Sequence, residues 1–548
     1  MSNKKADLNE KLNSSRRDFL RQVLQTSGGA AALKGMGSMT FSVFEQILSQ
    51  KAHADPNFNK NYIFIQLPGA PSRWTFDLFL TPYGRTNFNF NPMMGTRYVA
   101  SGGRYVGVEY ATFNYRNTEV PYLWKFSVPK AGGGTRPMTD LLDHLLVLRG
   151  ISTDNPGHPG SMMLQFEPLG SRQSLTALTA DKSERPFAAI NMNAQQYSLR
   201  SLAGKSPVLA EGGSRNLIQQ LMQPFITGLT PDFLAKRAAL ESALGPLREA
   251  LNKKATSRHG AAKAQVVNQQ GARQLGTQQE DLGAVWDALL SKYTDLAKRA
   301  IATNTNLPGL TDLPIGTTGT RDRTYSLNPN FIAERGDLRE MIDSETQIPN
   351  MAEYFALTEY IMTRRLSSSV ALPMTDFTNL RRNDAGARAT STFDEHNGGQ
   401  MVVLLLRSLY YRALAACMLE LIDKLKAEGM FADTVLHLSS EFTRNPRADK
   451  FGSDHGWQGA SISLFSGLIT APLILGNITS AFVDANYPGT WGAGAPVANL
   501  GKSLNYGHVA ATIAALLGVP SPLTSDGPVV AVESSGIRAL IERGKIVK

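Results

Sequence analysis

The chain has 548 residues, 42% of them hydrophobic and 19% charged, with a formal net charge of +10 at pH 7. That is ordinary globular composition, long enough for a large core or for two to three domains. A lone cysteine, Cys417, excludes an internal disulfide and a thiolate zinc site, and no cluster of Lys and Arg interleaved with aromatics points to nucleic acid.

The N-terminus reads as an address. The first 54 residues hold eight Lys/Arg and four Asp/Glu, leaving 48 basic against 42 acidic residues in the remainder. "SSRRDFL", from Ser14, is similar to the S-R-R-x-F-L pattern of twin-arginine export signals. A weakly apolar stretch broken by Lys34 follows, and "AHA" at 52–54 fits the small-x-small cleavage rule. The expectation is a signal over 1–54, a partner in the twin-arginine translocase, and a periplasmic or secreted mature protein. No later run of eighteen consecutive apolar residues exists, so no transmembrane segment is expected in the mature chain.

After the address, "NYIFIQLPG" (61–69) reads as a buried strand ending in a turn, and "HLLVLRG" (144–150) as a second. The aromatic, Asn- and Gly-rich stretch between them reads as loops with a short hairpin. From about 214 to 304 the texture changes to Ala, Gln, Leu and Lys, with two amphipathic helical patterns; this is read as a helical insertion that covers the sheet or hoods the site. A Pro/Gly/Thr linker leads back to the core. "SSVALPM" (368–374), "DTVLHLSS" (433–440) and "APLILGN" (471–477) are further strands, rich in Val, Ile and Leu without polar alternation, as expected of strands buried on both faces of a parallel sheet. Gly398 to Gly429 is a long helix with a buried first half, wetted at its end by Lys424, Lys426 and Glu428 and stopped by Gly429. The order argues an α/β layered fold divided into 55–213, an insertion and linker at 214–330, and 331–548.

Eight histidines occur, and four of them, His158, His396, His455 and His508, lie beside glycine or a carboxylate in loops or at element starts. His144 and His437 fall in apolar strand runs and read as packing residues; His259 reads as a solvated linker residue. Asp394-x-His396 and Asp454-His455 suit a divalent ion such as zinc or manganese, and Glu441 follows a strand end, where ligands gather in α/β sheets. A Glu-Arg-Asp-His loop equally suits a salt-bridge network. Three such loops, each after a core element, tilt the reading to metal. Other signatures fail: both G-K-S triplets lack the upstream glycine of a phosphate loop, and G-x-S-x-G, H-E-x-x-H and G-x-G-x-x-G are absent.

Five ordered blocks, "LPGAPSRWTFD", "LRGISTDNPGHPGS", "FDEHNGG", "ADTVLHLSSEFTRNP…GSDHGW" and "NYGHVAATIAALLG", together resemble the domain of unknown function 1501 family across 61–519. That resemblance implies an alkaline-phosphatase-like three-layer α/β fold with a mostly parallel central sheet. It implies one or two divalent ions (zinc, manganese or calcium) held by Asp394, His396, Glu441, Asp454, His455, His508 and Asp77. It places His158 or Ser161 at the nucleophile position and Arg444 as an oxyanion clamp. The implied activity is hydrolysis of a phosphate or sulfate ester on a small or polymer-linked anionic substrate. The alternative is a non-catalytic exported binding or surface-associated protein with a degenerate site, favoured by an acid of the first block missing near Trp74–Thr75 and by Tyr506 in place of an aspartate; Arg73 for the family's histidine, Phe393 for its tryptophan, and Thr443 and Asn445 in the strand-end block are further departures.

Overall fold

The computed structural model describes residues 58–81, 92–101, 104–153, 157–185, 187–192, 199–203, 205, 207–209, 282–302, 341–381, 388–447, 452–456, 459–479, 482–484, 487–490 and 492–547. The chain divides into two compact units, Met1–His53 with Leu217–Gln279, and Ala54–Asn216 with Glu280–Lys548. All described residues belong to the second. The export signal, His259 and the first insertion helix lie outside them.

The protein is mixed α/β, with an eight-stranded, mostly parallel sheet. In chain order its strands are β1 (Asn61–Gln66), β2 (Leu145–Arg149), β3 (Ile190–Asn191), β4 (Val208–Leu209), β5 (Ser369–Pro373), β6 (Thr434–Ser439), β9 (Ser461–Phe465) and β10 (Leu473–Leu475); β7 (Thr443–Pro446) and β8 (Ser453–Gly456) form a separate hairpin. The spatial order is β4-β3-β5-β1-β6-β9-β2-β10, and β9 alone runs against the rest. All six residues of β1 and of β6 are buried, which is why both runs lack polar alternation.

Strand β9 escaped the reading above. Its "SISLF" alternates serine with apolar residues, yet both faces are buried. The serine face meets Asp77: Ser463 Oγ donates to its carboxylate at 2.7 Å and Ser461 Oγ to its carbonyl at 3.1 Å. A polar partner inside the core thus lets a strand look half-exposed in sequence. The stretch before β2 also holds more than one hairpin, since Arg97–Ser101 pairs with Arg104–Glu109, Thr112–Tyr115 with Thr118–Pro121, and Ser127–Pro129 with Thr135–Pro137.

Six helices bear on the argument: α1 (His158–Leu164), α2 (Leu175–Ala180), α3 (Leu282–Ile301), α4 (Met351–Thr363), α5 (Gln400–Ala427) and α6 (Tyr506–Leu517). Tyr62 and Phe64 of β1 join a core with Met162 of α1, Leu175 and Leu178 of α2, and Val509 and Ile513 of α6. Helix α5 is long and apolar enough to cross a membrane, but its apolar stretch is wholly buried in protein. It ends as expected: Gly429 takes φ +67°, a left-handed stop that favours glycine. Helix α3, the described part of the predicted insertion, docks on α4 and α5 through Lys292, whose ammonium lies 2.6 Å from Glu359 and 2.9 Å from Glu420.

His437 of β6 packs in the sheet as expected. Its Nδ1 lies 2.8 Å from the Tyr62 hydroxyl, and burial pulls its pKa down to about 3. The unfolded chain binds this proton near pH 6.5 and the folded one does not, so stability is full above that pH and declines as pH falls toward 3. By pH 5 this one group should cost about 2 kcal/mol. Urea melts of wild type and His437→Gln at pH 7 and 5 check this; the variant should show a shallower loss on acidification.

Candidate metal centre

Three segments meet beyond the carboxyl ends of β1 and β6. The first residue of α1 supplies His158. The loop before α5 supplies Asp394 and His396. The β7–β8 hairpin supplies His455, in register with Arg444, while Asp454 faces Asn445. One donor atom from each of His158, Asp394, His396 and His455 lies within 4.8 Å of the other three. This group could hold a metal ion.

The spacing fits one. A tetrahedral ion with bonds of about 2.0–2.2 Å sets its donors about 3.3–3.6 Å apart. From Asp394 Oδ1, the Nε2 atoms of His396, His158 and His455 lie at 3.0, 3.5 and 3.9 Å. The Nε2 atoms of His396 and His455 are 3.1 Å apart. His158 Nε2 is buried, makes no hydrogen bond, and has Asp394 Oδ1 3.5 Å away as its ion-pair partner. A buried ring nitrogen left over inside a set of donors is what a cation would satisfy.

The far side of two rings is held by carboxylates. His158 Nδ1 lies 3.4 Å from Glu441 Oε1, and His396 Nδ1 lies 3.5 Å from Asp454 Oδ1. Carboxylates in this place fix the tautomer and aim the other nitrogen inward. Phe442 closes one wall, its ring 5.0 Å from His158 and 4.6 Å from His455. Asp394 and His396 each keep 36% of their side chain exposed, so solvent and ligands reach the opposite side.

The charges are strongly coupled. Asp394 and Glu441 push the His158 pKa up to about 9, against its burial. Burial would raise the Asp394 carboxyl, but His158, His396 and Arg444 outweigh it and hold the group far below the ordinary carboxylate range. Arg444 is fully buried; its Nε donates to Ala70 O at 2.7 Å and its Nη2 to Gly69 O and Asp394 Oδ1.

Of the residues singled out in the sequence, the structure brings Asp394, His396 and His455 together as donors. His158 joins them as a donor, where a nucleophile had been expected. Glu441 and Asp454 stand behind the imidazoles. Arg444 grips Asp394 and the backbone, with its Nε and Nη2 already engaged in place of an oxyanion. Ser161 is fully buried in α1. Asp77 and His508 are engaged elsewhere. Arg73, four residues before Asp77, takes that carboxylate at 2.6 Å through Nε and again through Nη2, with both side chains fully buried. His508 closes a capping box on α6 with Asn505, its Nδ1 2.7 Å from Asn505 Oδ1, and its Nε2 is 3.6 Å from Asp526. The Asn-x-x-His spacing at a helix start carried that signal. Sequence reasoning gave no role to Glu395, Gly69 or Ala70, although they lie inside the blocks "FDEHNGG" and "LPGAPSRWTFD".

Fold and site thus define an α/β protein with a half-buried centre of three imidazoles and one carboxylate. Searches against protein-family models, curated proteins and solved structures find no match for the chain.

Proposed function

We propose that the protein is a metal-dependent hydrolase of phosphate or sulfate esters, exported by the twin-arginine route. The observation that carries the metal is the convergence of one donor atom each from His158, Asp394, His396 and His455 within 4.8 Å of one another, with His158 Nε2 buried among them. Its location supports the enzyme reading: residues from four of the five sequence blocks, at 69–70, 158, 394–396, 441–444 and 454–455, converge at the carboxyl edge of a mostly parallel sheet, where α/β enzymes place ligands. The donor set favours zinc or manganese over calcium, which prefers oxygen ligands. It also favours a single ion. Asp394, Glu441 and Asp454 against Arg444 leave two negative charges that one dication balances, while Arg73 already serves Asp77.

A bound ion would supply Lewis acidity toward the ester oxygens and lower the pKa of an attacking water. The chain's own work is positioning. With an ion bound, Glu441 and Asp454 would keep the remaining protons on the Nδ1 atoms of His158 and His396, leaving their Nε2 lone pairs facing inward. Arg444 keeps Asp394 ionised. Phe442 keeps water off one side of the rings. Burial of Ser161 favours water over serine as nucleophile.

A second reading, a non-catalytic binding protein, is supported by the withdrawal of Asp77 and His508 from the centre. Elemental analysis of the purified protein, with assays of an aryl phosphate and an aryl sulfate in added zinc or manganese, separates the two. One ion per chain with turnover of either ester supports the hydrolase. One ion with no turnover of both esters supports the binding protein, and protein without any ion, unaffected by chelator, sinks the metal centre itself.

A further inference from the structure

Resting on the reading that the cluster holds an ion, we infer that the two-residue turn Gly69–Ala70 is the positioning device of the centre, and that Glu441 and Arg444 are its two arms and not a ligand and an oxyanion clamp. The turn leaves β1 and offers four backbone groups, and all four are taken. Both amides donate to one carboxylate, Gly69 N to Glu441 Oε1 at 2.7 Å and Ala70 N to Glu441 Oε2 at 3.0 Å. Both carbonyls accept from one guanidinium, Ala70 O from Arg444 Nε at 2.7 Å and Gly69 O from Arg444 Nη2. Each arm then reaches a different donor: Glu441 Oε1 stands 3.4 Å from His158 Nδ1, and Arg444 Nη2 bonds Asp394 Oδ1. Two donors that are 236 residues apart in the chain are thereby indexed to the same pair of peptides.

The backbone shows that the turn is held and not relaxed. Gly69 has φ +93° and Ala70 has φ +51°, a left-handed conformation unusual for alanine, which persists only where the surroundings over-determine it. The other side of the turn is tightly packed. A Cβ on Gly69 would come within 3.0 Å of Phe393 Cβ and 3.1 Å of Asp394 N, so the turn also packs against the segment that carries Asp394. A carboxylate with both oxygens occupied by backbone N–H groups is a poor ligand but a good acceptor for an imidazole N–H. Glu441 therefore acts through His158.

The test uses the full protein loaded with cobalt(II), whose visible spectrum and X-ray absorption count the nitrogen donors. Wild type is expected to show a tetrahedral spectrum with three imidazoles. Glu441→Gln should drop to two imidazoles and bind roughly 10–100-fold more weakly. Gly69→Ala, which displaces the Asp394 segment, should weaken binding similarly and shift the spectrum. Wild-type affinity and spectrum in both variants would overturn the inference while leaving the metal centre intact; a wild type that takes up no ion removes the centre and this inference with it. Because either variant can fail to fold, hydrogen exchange on the wild type serves as well. Amides 69 and 70 should be protected equally with and without the ion, as a preformed device requires; protection that appears only with the ion overturns it.

Discussion

Asp394→Asn is expected to abolish tight ion binding, lowering affinity by at least about 100-fold, more than the loss of an outer carboxylate does. Asp394 is the hub of the centre: the three imidazole Nε2 atoms lie 3.0–3.9 Å from its Oδ1, and Arg444 bonds the same oxygen. Asparagine keeps the shape and removes the charge. The imidazoles then have no anion to offset a dication, and Arg444 keeps only its backbone carbonyls. Titration with zinc against a competing chelator measures the loss, and any ester hydrolysis should vanish with it. The wild-type affinity should also depend on pH. In the ion-free protein His158 is protonated up to about pH 9, so an incoming ion must displace that proton. Affinity should therefore climb about tenfold per pH unit from pH 7 toward 9 and then level off. A flat profile across that range would mean His158 is not a donor. In Asp394→Asn the anion that does most to raise the His158 pKa is gone, so the slope should move to lower pH.

How much of this was legible depended on whether the information was local. β1, β2, β5 and β6 announced themselves because both faces are buried, leaving unbroken apolar runs. β3 and β4 are two residues each, below the length at which periodicity exists. β9 hid behind Ser461 and Ser463, whose partner Asp77 is 384 residues away at its carbonyl and 386 at its carboxylate. The centre followed the same rule. Asp394, His396 and His455 could be read as donors because each has a second candidate ligand within two residues in the chain, although Asp454 then stands behind His396. Glu441 could not be told from a ligand, since its role is set by two amides some 370 residues earlier. Asp77 had the right residue type beside the wrong neighbour: a guanidinium one helical turn before it supplies the positive charge an ion would otherwise bring. His508 was assigned by chemistry when its neighbour Asn505 had already assigned it by geometry.

Arg407→Met is expected to destabilise the folded protein by about 3–5 kcal/mol, the range for breaking a buried ion pair by removing one partner. Arg407, on α5, lies 2.7 Å from Asp376 and 2.7 Å from Glu395, and the three side chains are 1%, 5% and 5% exposed. The guanidinium also sits over the Phe393 ring, 4.9 Å from its centroid. Burial alone would lower the Arg407 pKa, but Asp376 and then Glu395 outweigh it and raise it. For Glu395 burial prevails over Arg407, leaving its carboxyl raised even in wild type. Without Arg407 the two acids must be buried as anions or take up protons on folding. Folding that binds protons is favoured by acid, so the deficit should be largest above about pH 5 and shrink as pH falls toward 4. Urea midpoints of wild type and variant at pH 7.5 and 4.5 give the sign. The triple variant Arg407→Met, Asp376→Asn, Glu395→Gln should recover most of the stability, because no buried charge is then left alone. It should not recover ion binding in full. Glu395 lies between Asp394 and His396, accepts the Ser72 amide at 3.1 Å through its side chain, and accepts Ser453 N at 3.0 Å through its carbonyl, two residues before His455. The charge network under the centre and the donor geometry above it share that one residue, so a variant with restored stability and weakened ion affinity would separate the two contributions.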